Sequence, residues 1–307
     1  MNVYYNSEIK VSILCPTYNH EKYIADTLEG FLKQRTNFAY EILVHDDAST
    51  DRTSEIIKEY ERKYPHLIKT VLQKENQYSK GKRITDEFLI PQACGKYFAL
   101  CEGDDFWSSE EKLQKQVDYL EANSDCVACT HNTNIMYVNQ KRKCKKLYSE
   151  VEKDLKLEDV IEGGGKTYHT SSLMYRSEYA FNKPKFVTAI KSVGDYPMGI
   201  YLALMGRIHY FGESMSCYRS GVDGSWSERI PKNKVFWKEY QKQAIEMLKM
   251  ANEYSNKTYN TLFEQVIQSR EFALELFELN FKNLLKLICF KDWSVKQKLK
   301  LILDVIR

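Results

Sequence analysis

Short strand-like runs alternate with helical patterns through the first 130 residues, and this alternation is the feature that most constrains the fold. Val11–Cys15 is a short β-type run, and the segment from His20 to Gln34 repeats apolar residues at helical spacing. The same alternation continues along the chain, with further strands predicted at Glu41–His45, Leu67–Leu72, Tyr97–Cys101 and Cys126–Thr130. Strands and helices of these lengths form right-handed βαβ crossovers, so the sequence predicts an α/β protein with a largely parallel sheet.

Acidic residues follow two of these predicted strands at the point where each ends. Asp46 and Asp47 come directly after the second strand, and Asp104 and Asp105 come shortly after the strand at Tyr97–Cys101. In open α/β sheets, ligands gather beyond the carboxyl ends of the strands. Two adjacent carboxylates repel each other, and a divalent cation such as Mg²⁺ or Mn²⁺ would neutralise them. Taken alone, an Asp-Asp pair fits a solvated acidic turn as well as it fits a metal site.

The composition is that of an ordinary globular protein. The 307 residues are 28% charged and 43% hydrophobic, and the net charge of +3 is too small to indicate a nucleic-acid partner. This length fits one large domain or two ordinary ones. The chain holds 22 tyrosines, and an aromatic-rich chain often offers stacking surfaces to bases and sugars, although most of these rings are expected in the core.

The N-terminus and the cysteines bear on the cellular compartment. The first ten residues contain no apolar run typical of a secretory signal, and no stretch of 18 apolar residues predicts a membrane-spanning helix. The eight cysteines follow no framework spacing. We therefore expect free thiols and a cytoplasmic location.

Three later segments bear on function. Asp195 follows a glycine and precedes an apolar helical pattern, so it is either a helix cap or a carboxylate with a chemical role. Cys217–Ser227 is turn-rich and aromatic, as expected of a loop that folds over a site, and it follows a strand predicted at His209–Met215. The glycine run 163–165 is interpreted as a mobile loop, because the first glycine of a phosphate-binding motif would fall at Val160.

Long helices are predicted from Asn233 to the C-terminus, where apolar residues recur at helical spacing. The last segment, 281–307, carries seven Lys or Arg against two Asp, a local excess of five positive charges. This basic amphipathic pattern fits a helix on an anionic membrane surface, and it also fits a helix packed on its own domain. The predicted domains are 1–230 for the α/β part and 231–307 for a helical region that contacts a membrane, forms oligomers or packs on the protein.

Four polar motifs follow one another in a characteristic order. They are Pro16-Thr17-Tyr18-Asn19, Asp46-Asp47-Ala48-Ser49-Thr50-Asp51, Glu102-Gly103-Asp104-Asp105-Phe106-Trp107 and Gly194-Asp195. Together they resemble family 2 glycosyltransferases of the GT-A fold, over about residues 9 to 227. The resemblance implies a Rossmann-like, mostly parallel sheet flanked by helices, with the C-terminal helices as an extension. It also implies an inverting, metal-dependent enzyme that moves a sugar from a nucleotide-diphosphate donor, in particular a UDP-sugar, to a hydroxyl of a surface-glycan or lipid-linked acceptor.

The resemblance assigns the nucleotide-binding residues. The segment Pro16-Thr17-Tyr18-Asn19 would bind the nucleotide, and Tyr18 would stack on its base. Asp47 would read the edge of the base, and Asp104 would lie near the ribose.

The resemblance also assigns the residues of the chemical step. Asp105 would hold Mn²⁺ or Mg²⁺ on the diphosphate, where the cation stabilises the charge of the leaving group. Asp195 would be the general base that takes the proton of the acceptor hydroxyl. Arg219 and Trp226 lie in the turn-rich loop, where they would either close over the diphosphate and sugar or form a structural cap. At Gly221 the chain departs from the family, which often has a histidine there that touches the metal. This departure favours an alternative, a catalytically weak module of the same fold that binds nucleotide sugars or glycans.

Overall fold

The structure, a computed structural model, describes residues 8–138, 145–164, 166–225, 228 and 233–278. Trp226 and the basic segment 281–307 therefore lie outside the described residues. The chain divides into two compact units, the first comprising Met1–Lys183 and Met198–Val222 and the second comprising Pro184–Pro197 and Asp223–Arg307. The functional division into 1–230 and 231–307 stays a prediction.

The strands of the first unit form one sheet. Within the described residues they are β1 (Ile9–Thr17), β2 (Ala39–Asp46), β3 (Ile68–Leu72), β4 (Tyr97–Leu100), β5 (Phe106–Trp107), β6 (Cys126–Tyr137), β7 (Lys145–Lys146), β8 (Lys153–Leu155), β9 (Met174–Arg176) and β10 (Arg207–Ser220). Their order is β3-β2-β1-β4-β9-β6-β10-β5, with β7 on β6 and β8 on β10. Strands β3, β2, β1 and β4 are parallel, as are β6 and β10, whereas β5, β7, β8 and β9 pair antiparallel with their neighbours. The predicted α/β architecture is confirmed.

Helices connect and follow these strands. The first unit contains α1 (Ile24–Leu32), α2 (Thr53–Lys63), α3 (Lys112–Ala122) and α4 (Leu157–Gly163). Helix α5 (Asp195–Met205) begins in the second unit and continues in the first, and the second unit contains α6 (Lys234–Tyr254) and α7 (Asn260–Glu278). None of the helices in the described part of the chain is long and apolar enough to cross a bilayer.

The core of the first unit explains why β1 lies at the centre of the parallel strands. Val11 and Ile13 are fully buried and pack with Leu28 of α1 and Leu113 of α3 in one apolar cluster. Ser12 and Leu14 alternate to the opposite face of β1 and are also fully buried, so this parallel strand is covered on both faces. Because β1 pairs in parallel with both β2 and β4, the loops that follow these three strands begin at the same edge of the sheet.

Two regions differ from the sequence predictions. The strand predicted at His209–Met215 extends to Ser220, because β10 pairs with β6 as far as Tyr137. The turn-rich segment therefore begins after Ser220 rather than at Cys217. The mobile loop predicted at 163–165 is wrong for its first two residues, because Gly163 ends α4 and Gly164, at φ +58°, is the left-handed residue that terminates the helix.

Candidate active site

Asn19 links the loop after β1 to the loop after β2. Its backbone N–H donates to Ser49 Oγ at 2.8 Å, and its side-chain oxygen accepts from the backbone N–H of Thr50 at 2.8 Å. Asn19 lies in the left-handed region at φ +56°, which asparagine tolerates better than most residues. The neighbouring ring of Tyr18 is 42% exposed, so it presents a surface on which a base can stack.

Asp47 is buried and organises the segment that follows β3. Its two carboxylate oxygens accept the backbone N–H groups of Gln77 and Tyr78, at 2.7 and 3.0 Å. Each carboxylate oxygen has a further lone pair, so these bonds are compatible with a base contact. Reading of the base edge by Asp47 stays a prediction.

The turn that carries the acidic pair passes very close to the end of β1. A Cβ atom added to Gly103 would lie 2.5 Å from Thr17 Oγ1 and 2.6 Å from Thr17 Cβ, so the approach requires glycine. The backbone N–H of Gly103 donates to the carbonyl of Pro16 at 3.0 Å. Pro16 and Thr17 therefore support the turn in addition to any contact that they make with a nucleotide.

Asp104 and Asp105 are both buried, at 7% and 1% exposure. Asp104 Oδ1 is a buried oxygen with no hydrogen-bond partner in the described part of the structure, and Oδ2 lies 3.8 Å from His20 Nε2. Asp105 Oδ1 accepts the backbone N–H of Arg219 at 2.9 Å. Burial raises the pKa of Asp105 well above its ordinary value, and the charge of Asp104 raises it further. Keeping both groups ionised therefore costs free energy that a bound cation would offset.

Arg219 is buried and binds the turn that carries Asp104 and Asp105. Its two terminal nitrogens donate to the carbonyl of Asp104 at 2.7 Å and to Asp26 Oδ2 at 2.6 Å. The guanidinium carbon lies 4.5 Å from the centre of the Phe106 ring. These contacts show that Arg219 fixes the acidic turn, whereas its role in closing over the diphosphate stays a prediction.

His169 is a site residue to which the sequence analysis gave no role. Its Nδ1 lies 3.6 Å from Asp105 Oδ2, and its ring packs on Tyr218 with centroids 4.4 Å apart. Burial lowers the pKa of His169 to about 4, so the ring is neutral near pH 7. In the sequence, the one available signal is the strand-like character of the residues that follow His169, part of which forms β9 and pairs with β4.

The residues present fit a divalent cation that is completed by substrate. No group of three or more His, Cys, Asp or Glu side chains is arranged to hold a metal among the residues that the structure describes. Mg²⁺ commonly uses one or two carboxylates, with phosphate oxygens and water as the other ligands. The buried Asp105 carboxylate, beside the unpartnered Oδ1 of Asp104, has the hard oxygen ligands and the excess negative charge that such a cation needs.

Asp195 is the first residue of α5 and belongs to the second unit. Its Oδ1 accepts the backbone N–H of Tyr196 at 2.7 Å, and burial raises the pKa of its carboxyl group to about 6. This bond joins Asp195 to the next residue, whereas the side chain of a helix cap binds the second or third N–H of the helix. A pKa near neutrality suits a general base. Its catalytic role stays a prediction.

Comparison with known proteins gives consistent results. The model of the family "Glycosyl transferase family 2" matches residues 12–181, more than half of the chain. The uncharacterised protein Rv1520 of Mycobacterium tuberculosis is 32% identical over 228 residues, which are 74% of this chain and 63% of the relative. The chain thus spans under two thirds of the length of that relative.

Two solved structures share the fold. S. aureus TarS 1-349 in complex with UDP-GlcNAc superposes with a TM-score of 0.61 at 20% identity, covering 97% of this chain and 81% of the TarS 1-349 chain. The mannosyltransferase PcManGT from Pyrobaculum calidifontis, in complex with GDP-Man and Mn²⁺, gives a TM-score of 0.54 at 16% identity and covers 99% of this chain and 81% of its own. At these identities the likeness shows the fold, which is the predicted GT-A fold.

Proposed function

This chain belongs to glycosyl transferase family 2, and we propose that it transfers a sugar from a UDP-sugar to an acceptor hydroxyl with inversion, in a metal-dependent reaction. The observation that carries the proposal is the buried acidic pair, in which Asp104 Oδ1 has no partner in the described residues and Asp105 lies beside it. The pair follows β4 at the edge where the loops after β1 and β2 also begin. This is the edge at which α/β sheets bind ligands.

The donor is proposed to bind across the loops at this edge. The exposed ring of Tyr18 would stack on the base, with Asp47 at the base edge and Asp104 near the ribose. Asp105 would hold Mn²⁺ or Mg²⁺, which when bound neutralises the charge of the departing diphosphate. TarS with UDP-GlcNAc and PcManGT with GDP-Man and Mn²⁺ support a nucleotide-sugar donor and a cation.

Asp195 is proposed as the general base. An acceptor hydroxyl is a weak nucleophile, and a carboxylate that takes its proton as the bond to the sugar forms makes attack feasible. Attack from the face opposite the nucleotide inverts the anomeric carbon in a single displacement. The raised pKa of Asp195, about 6, gives this group more basic strength than an ordinary aspartate has.

The acceptor is proposed to be a surface-glycan or lipid-linked hydroxyl, with peripheral contact of the C-terminal region to a membrane. The excess of five positive charges over 281–307 supports this contact, because basic segments are attracted to anionic lipid. Cosedimentation of the full chain with vesicles that contain or lack anionic lipid tests the membrane contact. Binding that does not depend on anionic lipid or on salt would contradict it.

The test of the enzyme proposal is donor turnover. The full chain is incubated with a panel of UDP- and GDP-sugars, with Mn²⁺ and with chelator, and nucleotide release and thermal stabilisation are measured. We expect metal-dependent UDP release from a preferred UDP-sugar, and its loss in Asp105→Asn. The alternative is a catalytically weak binding module, which Gly221 favours because the family often has a histidine at that position. Stabilisation by a donor without any release, in the presence of every candidate acceptor, would support that alternative.

A further inference from the structure

We propose that His169 is the second protein ligand of the divalent cation, next to Asp105. The imidazole would then come from the turn before β9 and not from the loop after β10. This inference rests on the proposed function, because it concerns the cation that would accompany the donor. It deepens that proposal by naming a ligand that the sequence motifs do not contain.

The ring of His169 lies close to Asp105. Arg219 N–H binds Asp105 Oδ1, whereas Oδ2 faces His169, whose Nδ1 lies 3.6 Å from it. Adjacent ligands of an octahedral cation with bonds of about 2.1 Å are about 3 Å apart. If His169 Nδ1 and Asp105 Oδ2 moved about 0.6 Å closer together, which side-chain rotation allows, both atoms could bind the same cation.

The Nδ1 atom of His169 makes one long hydrogen bond. It accepts the backbone N–H of Ser171 at 3.3 Å, which is long for a hydrogen bond, and it lies 3.0 Å from Ser171 Oγ. The hydroxyl of Ser171 donates to Ser216 Oγ at 2.9 Å, so its proton is directed away from the imidazole. With the ring proton on Nε2, a cation would therefore replace one long bond at Nδ1, which is a small loss.

The ring of His169 packs on Tyr218, and the backbone of His169 is held by hydrogen bonds. The carbonyl of His169 accepts the backbone N–H of Ser172 at 2.9 Å and the hydroxyl of Ser172 at 2.7 Å. These bonds fix the turn Thr170–Ser172, which directly follows His169. A ligand that is oriented before the metal arrives binds it with less loss of conformational freedom.

The backbone at Gly221 is compatible with an imidazole ligand that comes from another element. Gly221 has φ +87°, a conformation that strains any residue with a Cβ atom. A histidine at this position would therefore be disfavoured by the shape of the loop. With His169 beside Asp105, the glycine does not imply the loss of an imidazole ligand.

The test is pulsed electron paramagnetic resonance on the full chain with Mn²⁺ and UDP. Coupling of the Mn²⁺ electron spin to a ¹⁴N nucleus reports a coordinated imidazole, because the diphosphate and carboxylate ligands contain no nitrogen. We expect this coupling in the wild-type complex and its loss in His169→Gln, with Mn²⁺ affinity in the presence of UDP lower by about tenfold. The matched control is His20→Gln, since His20 Nε2 lies 3.8 Å from Asp104 Oδ2 and is the competing imidazole.

Each outcome bears on the inference. A wild-type Mn²⁺–UDP complex without ¹⁴N coupling overturns the assignment of His169 and leaves the proposed function intact. Coupling that persists in His169→Gln and disappears in His20→Gln also overturns it. Failure of Mn²⁺ and UDP to bind at all removes the proposed donor site together with this inference. The wild-type spectrum needs no variant, so the test stands even if His169→Gln does not fold.

Discussion

The backbone N–H of Arg219 donates a hydrogen bond of 2.9 Å to Oδ1 of Asp105, and this bond joins the end of β10 to the turn after β4. The side chain of Arg219 strengthens the junction through the Asp104 carbonyl and the Asp26 carboxylate. One oxygen of Asp105 is thereby fixed to the protein, and the other faces His169. The geometry of the acidic pair thus depends on a residue more than one hundred positions away in the chain.

Replacing Arg219 by lysine should loosen this turn. A single ammonium group cannot donate in a fixed fork to both the Asp104 carbonyl and Asp26, so we expect a loss of about 1–3 kcal/mol in the free energy of unfolding. We also expect about tenfold weaker UDP binding in the presence of Mn²⁺. Denaturant unfolding and calorimetric titration measure the two effects.

The matched control is Arg207→Lys, which breaks a comparable contact with Asp125 and should leave UDP affinity unchanged. Equal UDP affinity in the Arg219 and Arg207 variants would contradict the positioning role.

Removing the ring of Tyr18 should weaken nucleotide binding without affecting the fold. Tyr18→Ala loses base stacking that is typically worth about 1–3 kcal/mol, so the dissociation constant for UDP should rise about tenfold or more. The ring is 42% exposed, so the melting temperature should change little. Tyr18→Phe keeps the aromatic face and serves as the control, with an affinity close to that of wild type. An unchanged UDP affinity in Tyr18→Ala would remove the stacking assignment.

The pH dependence of transfer should report Asp195. Its pKa is about 6 in the free protein, and the base must be ionised to accept a proton, so kcat/KM should be maximal above pH 7 and fall by about tenfold by pH 5. Asp195→Asn cannot accept the proton and should lose activity by a factor of about 10² to 10⁴. Initial rates from pH 5 to pH 8, at subsaturating donor and acceptor, provide the measurement. If Asp195→Asn retained full transfer activity, another residue would have to be the base.

Lys112 should make the folded protein more stable as the pH rises above 7. It is fully buried, with Nζ 2.7 Å from Gln116 Oε1 and 4.0 Å from the centre of the Trp107 ring. Burial lowers its pKa from 10.5 to about 7. Between these values the unfolded chain binds the additional proton, so stability rises with pH, by about 2 kcal/mol from pH 7 to pH 9.

Comparison of unfolding free energies at pH 7 and pH 9 tests this dependence. Lys112→Met removes the titrating group. The increase in its free energy of unfolding from pH 7 to pH 9 should therefore be smaller than that of wild type by about 2 kcal/mol. Lys115→Met removes a partly exposed lysine from the same helix and should follow the wild-type dependence. Parallel curves for wild type and Lys112→Met would show that Lys112 does not titrate in this range.

The parallel strands and the acidic turns were predictable because their signals are local. The apolar runs of β1 and β4 stop at polar residues, and the order of the motifs predicted the GT-A fold. The full length of β6 was not predictable, since His131 and Asn132 are completely buried polar residues that interrupt its apolar pattern. The Asn132 side chain is accommodated because its Nδ2 donates to the carbonyl of Tyr148 at 3.2 Å and its Oδ1 accepts the N–H of Tyr148 at 3.0 Å, contacts that local periodicity does not encode.

The site residues were predictable to a similar extent. The sequence predicted Asp104 and Asp105 as neighbours at the edge of the sheet, and the structure places them there. The packing of Arg219 under the turn and the approach of His169 to Asp105 depend on segments far apart in the chain. Such contacts follow from the assembled sheet and leave no periodic signal in the sequence.

The bonds from Asn19 to Ser49 and Thr50 have a consequence for how a nucleotide would be received. Two loops that are cross-linked in the free protein lose little further motion when a base settles between them. The entropy that a flexible pocket would give up on binding has already been lost during folding. We therefore expect a nucleotide to bind at this end of the site as it would to a rigid pocket, with little rearrangement of the backbone around Asn19.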